Sequence, residues 1–300
     1  MSSKYRTIAK NLYNRYQKNL SKQNLRNKIV KFISTGQHPW SEGYTEYKQQ
    51  YINASLQNHS LLNLLLAKKV PAKYGVGLDD RVVEYPWIFT YLSKEINTFL
   101  DAGSTFNYKY IVSHPLVASK SIYIATYFPE NLNFNEKRIS YVYCDLRELP
   151  FRDGFFEEIV CQSTLEHIDM DNSMYGYHLK NLGHTESKSY AYMLVLKELI
   201  RVLQIGGTLL LTFPFGKFEN HGFFQQFDSE MLQRMKDYLI SWGRIEVNDF
   251  FKYTPTGWIF SNEQDGANCE SYNPHTGRGK GTDGAAHSRA ICCIKFIKTT

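Results

Sequence analysis

From Arg81 onward, apolar runs of strand length alternate with stretches of helical period, and this alternation limits the fold more than any other feature of the chain. Strands are expected over 96–102, 121–127, 139–145, 157–163, 208–214, 244–250 and 289–297. The clearest helix is expected over 187–203. There Met193, Leu196, Ile200 and Leu203 form one stripe with Leu199 beside it, and Gly206-Gly207 follow as a stop. Strands and helices in alternation predict an α/β fold: a doubly wound, mostly parallel, seven-stranded Rossmann-like sheet covered on both faces. Ligands of such sheets bind beyond the carboxyl ends of the strands, near the switch point.

The first 80 residues differ and are expected to form a helical, basic extension (1–80) on the sheet domain (81–300). Ile8, Leu12, Tyr16 and Leu20 lie four apart, and Leu25, Ile29 and Phe32 resume the stripe. Residues 1–35 carry nine Lys/Arg and no acid, which leaves 26 basic and 29 acidic side chains, a net of −3, in the rest. Such an arm suits either an anionic partner or a solvated helix face. Nucleic acid is the disfavoured partner, because the body is acidic and no nucleic-acid-binding motif occurs, but the arm keeps it open. Trp40, Tyr44, Tyr47 and Tyr51 repeat at helical spacing, either as packing, the favoured reading, or as a groove for a sugar or base.

Composition narrows the setting. With 43% hydrophobic and 21% charged residues, the chain reads as globular and not disordered. No run approaches the roughly 18 apolar residues of a membrane span. No secretory signal is visible, and five cysteines are an odd number, so disulfides are not expected and a cytoplasmic location is.

Four segments carry the chemistry. Phe99-Leu100-Asp101-Ala102-Gly103-Ser104-Thr105-Phe106-Asn107 ends a strand in an acid, a glycine and small hydroxyl residues. Tyr143-Cys144-Asp145-Leu146 ends another strand in an acid, and a turn with Pro150, Asp153 and Gly154 follows. Ile159-Val160-Cys161-Gln162-Ser163-Thr164-Leu165-Glu166-His167 ends in polar residues and a Glu-His pair. Leu203-Gln204-Ile205-Gly206-Gly207-Thr208-Leu209 turns from a helix into an apolar strand.

In this order and spacing the four segments resemble the class I S-adenosylmethionine-dependent methyltransferases, particularly the small-molecule type, over about residues 96–214. The resemblance implies the cofactor S-adenosyl-L-methionine, with the methionine part at Asp101, Ala102, Gly103 and Ser104. It implies the ribose at Thr126, the adenine at Asp145 and Leu146, and Gln162 and Ser163 closing the methionine end. It also implies a last strand running antiparallel between the fifth and sixth. The chain departs from the family pattern where Thr105 and Asn107 replace two further glycines. Thr126 stands in place of a ribose-binding acid, and Glu130 lies four residues on as a possible substitute.

His167 is the candidate catalytic base, against the alternative of a structural histidine bonded to a backbone carbonyl. His184 and His221 sit in loops and are weaker candidates. Cys269, His275, His287 and Cys292 lack a paired Cys-x-x-Cys, so no metal is expected. Arg278 and Lys280, in a glycine-rich loop, are candidates to meet a phosphate. Residues 169–189 and 261–288 read as irregular lids or linkers. The acceptor is expected to enter between the first of these and the loop 215–227. The expected function is methyl transfer to a hydroxyl of a small-molecule or glycan-type acceptor. The alternative is a non-catalytic module of the same fold that has lost effective cofactor binding.

Overall fold

The computed structural model describes residues 22–134, 136–173 and 187–300. The first 21 residues of the basic arm, most of the 169–189 insertion and His184 lie outside them. All seven expected strands form and share one sheet: β1 (Thr98–Ala102), β2 (Ser121–Thr126), β3 (Ile139–Tyr143), β4 (Phe156–Gln162), β5 (Leu203–Pro214), β8 (Gly243–Thr254) and β10 (Ala290–Lys298). With β9 (Gly257–Ser261) at one edge, the strand order is β3-β2-β1-β4-β5-β10-β8-β9. The first five neighbours pair in parallel, and β10 runs antiparallel to both β5 and β8. A small ribbon of β6 (Glu219–Asn220) and β7 (Gln225–Gln226) stands apart from the sheet.

The count of seven is corrected to eight by β9 (Gly257–Ser261), which hairpins onto β8 across Thr254↔Gly257. Its stability is tertiary. Trp258 is 1% exposed, and its indole N–H donates to Leu78 O while its backbone N–H donates to Tyr74 O. Pattern alone could not show an edge strand held by residues 180 positions away.

The sheet's alternation sorts side chains between two cores. Phe99, Val160, Leu210 and Cys293 face one layer, and Leu100, Ile159, Leu211 and Cys292 face the other. The first layer is built by α1 (Tyr44–Leu56), α2 (His59–Leu66) and α3 (Arg81–Tyr91), with Phe32 of the helical segment 22–34. Of the aromatic stripe, Tyr44, Tyr47 and Tyr51 belong to this core, whereas Trp40 precedes the helix and is 44% exposed. Tyr44 packs edge-on to Phe32 at 5.8 Å, Tyr47 lies 5.2 Å from Phe32, and Tyr51 lies 5.4 Å from Tyr74. Residues on both sides of position 80 therefore share one hydrophobic core.

The second layer is built by α4 (Tyr192–Val202) and α5 (Ser229–Ile240). Gly206 and Gly207 do not stop α4, which ends at Val202 with Leu203 already extended. They sit inside β5, where pairing with β4 jumps from Phe156↔Leu203 to Glu158↔Thr208. Gly206 has φ +82°, and a side chain at Gly207 would meet Leu203 at 2.7 Å. The glycines thus accommodate a bulge.

Among the described residues, no helix is long and apolar enough to cross a membrane, and no group of three or more His, Cys, Asp or Glu is placed to hold a metal ion.

Candidate functional site

The carboxyl ends of β1, β2, β3 and β4 open into a cavity of about 320 Å³. Of the residues singled out from sequence, Gly103, Ser104, Thr126, Asp145 and Leu146 line it, joined by Ser163 and His167. Asp101, Ala102 and Gln162 do not. Each is 0% exposed and lies beneath the cavity floor.

Asp101 builds the floor from below. Its Oδ1 accepts from the backbone N–H and hydroxyl of Thr105, both at 3.1 Å, and its Oδ2 accepts from Phe106 N–H at 2.8 Å. Thr105, placed where the family pattern has a glycine, is thus a stitch in the turn. Asn107 does the same. Its side-chain amide donates to Glu130 Oε2 at 2.9 Å, and its carbonyl oxygen accepts from Tyr141 OH at 3.0 Å. Ser104 (φ +62°) also donates to Glu130 Oε2, at 2.9 Å. Glu130 lines the cavity beside Thr126, so a carboxylate is present at this wall although none ends β2.

Burial pushes Asp101 up to about 7, against the three donors that favour its charge. A carboxyl whose folded pKa lies above its unfolded value, about 3.9, contributes stability fully below about pH 4. That contribution is lost as pH rises through about 7. The stability advantage of the wild type over Asp101→Asn is therefore expected to shrink between pH 4 and pH 8. Thermal unfolding of both proteins across that range measures it, and parallel curves would refute the assignment.

Beyond the end of β3, Asp145 is already engaged. It accepts from Arg147 N–H at 2.9 Å and from the guanidinium at 2.6–3.0 Å. Burial opposes its ionisation, but Arg147 holds it below the usual carboxylate range. Arg147 itself also lines the cavity.

The opposite wall comes from a helix that sequence reasoning had assigned no chemistry. Arg81 lines the cavity and donates from Nη1 to Glu84 Oε2 at 3.2 Å and to Gln162 O at 3.4 Å. Glu84 is 0% exposed and accepts from Ser163 Oγ, Thr212 Oγ1 and Gln162 Nε2. Burial raises its pKa, and Arg81 opposes the rise. The available signal was a charged pair, Arg81-x-x-Glu84, in an otherwise apolar helix.

His167 ends a short 3₁₀ turn, Leu165–His167, at the cavity wall. Its Nδ1 lies 2.7 Å from Phe223 O. A carbonyl only accepts, so Nδ1 carries the proton and Nε2 the lone pair. Burial lowers its pKa to about 4, so the ring is neutral near pH 7 and holds a proton weakly. Glu166 does not orient it. That carboxyl is 1% exposed, its Oε2 has no hydrogen-bond partner, and burial raises its pKa well above the ordinary range. The loop 215–227 reaches this wall through Phe223 and through Gly222 O, which accepts from Asp171 N–H.

Strand order, the reversed β10 and a cavity at the carboxyl ends define a Rossmann-like α/β protein with the sheet of the class I methyltransferase fold. No family model and no curated protein matches the chain. Among solved structures it is similar to a 1,6-didemethyltoxoflavin-N1-methyltransferase from Burkholderia thailandensis with bound 1,6-didemethyltoxoflavin and S-adenosylhomocysteine. That match has 10% identity and a TM-score of 0.38, and covers 69% of this chain and 73% of the other. A SAM-dependent methyltransferase from Methanosarcina mazei has 14% identity and a TM-score of 0.42, with 72% and 99% covered. The [4+2]-cyclase SpnF has 14% identity and a TM-score of 0.40, with 68% and 75% covered. Likenesses this distant do not specify an activity.

Proposed function

We propose that this chain is an S-adenosylmethionine-dependent methyltransferase whose acceptor is a small molecule or glycan unit bearing a hydroxyl. The observation that supports it most is the cavity at the ends of β1, β2, β3 and β4, which brings together residues from three of the four sequence segments and Thr126. The residues present fit the cofactor. Gly103 presents bare backbone, Thr126 and Glu130 offer oxygen acceptors for hydroxyls, Leu146 offers an apolar surface, and Arg81 offers a guanidinium for a carboxylate. When bound, the cofactor supplies a methyl group on a sulfonium.

The chain's own part is mostly to hold and align. His167, its ring fixed by Nδ1–H on Phe223 O, stands at the cavity wall and helps to orient the acceptor. The acceptor enters between Asp169–Asn172 and the loop 215–227, which are joined at Gly222 O. The cytoplasm is the proposed location, on the cysteine content alone.

Calorimetry with S-adenosylmethionine and S-adenosylhomocysteine tests the reading. Saturable binding of both is expected. Arg81→Met is expected to weaken it about tenfold to hundredfold, since a hydrogen bond to a charged group contributes about 1.5–3 kcal/mol, and Arg81→Lys is expected to recover part. Absence of binding by the wild type would favour the non-catalytic module. The threonine at position 126 and the capture of Asp145 by Arg147 speak for that second reading.

A further inference from the structure

The helical segment 22–34 keeps most of its apolar surface off the body. Leu25, Ile29 and Ile33 recur at intervals of four with Val30 beside them, so they share one side of the helix. Leu25 is 46% exposed, Val30 55% and Ile33 48%, while only Phe32 is fully buried. Single exposed aliphatics are ordinary, but these four on one side of one helix form a patch. Between Leu25, Ile29 and Val30 and the neighbouring α1 runs an open groove of about 670 Å³. Its α1 wall presents Gln49, Gln50 and Asn53, whose amides need hydrogen bonds that an aliphatic face cannot give. That wall therefore offers the patch no apolar partner.

The charges on the same segment have one sign. Lys28 and Lys31 reach back to Glu46 and Glu42, the first at 2.6 Å, and tie the segment to the start of α1. Lys22 and Arg26 line the groove, and neither pairs with a carboxylate among the described residues. Five more Lys/Arg and no acid precede them in 1–21, where Ile8, Leu12, Tyr16 and Leu20 are again four apart. Residues 36–300 carry a net charge of −3. An anionic surface thus attracts the arm, repels the body and selects the side that faces it. Nucleic-acid phosphates would reward these charges but not the exposed Leu, Ile and Val. An anionic bilayer rewards both, with aliphatic side chains at the headgroup–acyl boundary and basic ones among the headgroups.

We propose that the segment 22–34, with the basic sequence before it, seats this protein on an anionic lipid surface, lying in the interface and not crossing it. Leu25, Ile29, Val30 and Ile33 enter the boundary region, and Lys22 and Arg26 meet the headgroup phosphates. The seat adjoins the cavity. Tyr110 lines the groove, Tyr108 lines the cavity, and their rings stack at 5.8 Å. The cavity is thereby held near the lipid surface. This inference does not depend on the methyltransferase reading.

The experiment sediments the full chain with vesicles of phosphatidylcholine alone or with about a third phosphatidylglycerol. Binding is expected to the anionic vesicles, to be largely lost at about 0.5 M salt, and to be weak on phosphatidylcholine. Each basic side chain near such a surface strengthens binding about fivefold, so the pair Lys22→Gln and Arg26→Gln is expected to weaken it about 25-fold. The pair Val30→Ser and Ile33→Ser keeps every charge and is expected to weaken it at least about tenfold. Both pairs change exposed side chains, and thermal unfolding checks that the fold is kept. A wild type that stays in solution with anionic vesicles overturns the proposal. So does vesicle binding that the serine pair leaves within about twofold. A duplex RNA that displaces the vesicles, with an affinity the serine pair does not change, overturns it in favour of nucleic acid.

Discussion

Gly103→Ala is expected to weaken S-adenosylmethionine binding at least about a hundredfold, equivalent to about 2.7 kcal/mol. Gly103 has φ +118°, where an L side chain is strained by about 1–3 kcal/mol. An added Cβ would also sit 2.1 Å from Thr164 Oγ1 and 2.6 Å from its Cγ2, far inside the 3.0 Å that non-bonded contacts of a Cβ essentially never breach. The turn after β1 and the turn after β4 would have to separate, and both line the cavity. Thr164→Ala in the same chain removes Oγ1 and Cγ2 but leaves Thr164 Cβ at 2.9 Å and the strained φ untouched. The double variant is thus expected to recover only part of the affinity. Calorimetry measures it, with thermal unfolding beside it. A Gly103→Ala protein that binds like wild type would remove the turn from the cofactor site.

The largest loss of stability is expected from Glu84→Ala, about 3–5 kcal/mol. Glu84 is wholly buried and gathers Arg81, Gln162, Ser163 and Thr212 from three different elements. Its removal strands a guanidinium opposite a gap and leaves two hydroxyls and an amide without their acceptor. Breaking a buried pair by deleting one partner has a cost of this size, and unsatisfied donors add to it. Glu84→Gln keeps one acceptor oxygen but turns an amide toward these donors, so an intermediate loss is expected. Chemical denaturation measures both variants. A loss below about 1 kcal/mol for Glu84→Ala would show that water replaces the carboxylate without strain. Cofactor affinity is expected to fall in the same variants, because Glu84 fixes the Ser163 and Arg81 side of the cavity.

What was legible in the chain was whatever is written in local periodicity. The seven strands and the helix over most of 187–203 follow from alternating apolar runs and where each run stops, whereas the meeting of Gly103, Ser104, Thr126, Asp145 and Ser163 at one cavity was implied by the family resemblance. Side chains at the carboxyl ends of neighbouring parallel strands must come together, so a cavity wall can be placed without coordinates. The reversed position of the last strand came from a family resemblance and is found between β5 and β8.

The tertiary structure decided what depends on partners distant in sequence. Asp101 carries the same acidic side chain wherever it sits. Only burial at 0% exposure and its donors from Thr105 and Phe106 make it a floor beneath the cavity. Thr105 and Asn107 read as losses against a glycine pattern, yet their side chains close the turn through Asp101 and Glu130. Arg81 and Glu84 looked like ordinary charges on a helix until α3 packed across the ends of β4 and β5. His287 Nδ1 lies 3.2 Å from Asp80 Oδ2 across 207 positions of sequence, and nothing local in either segment announces the other. Periodicity reports which face a residue takes. The protonation state and hydrogen-bond partner of a side chain depend on what the folded chain sets opposite that face, and this is a long-range property.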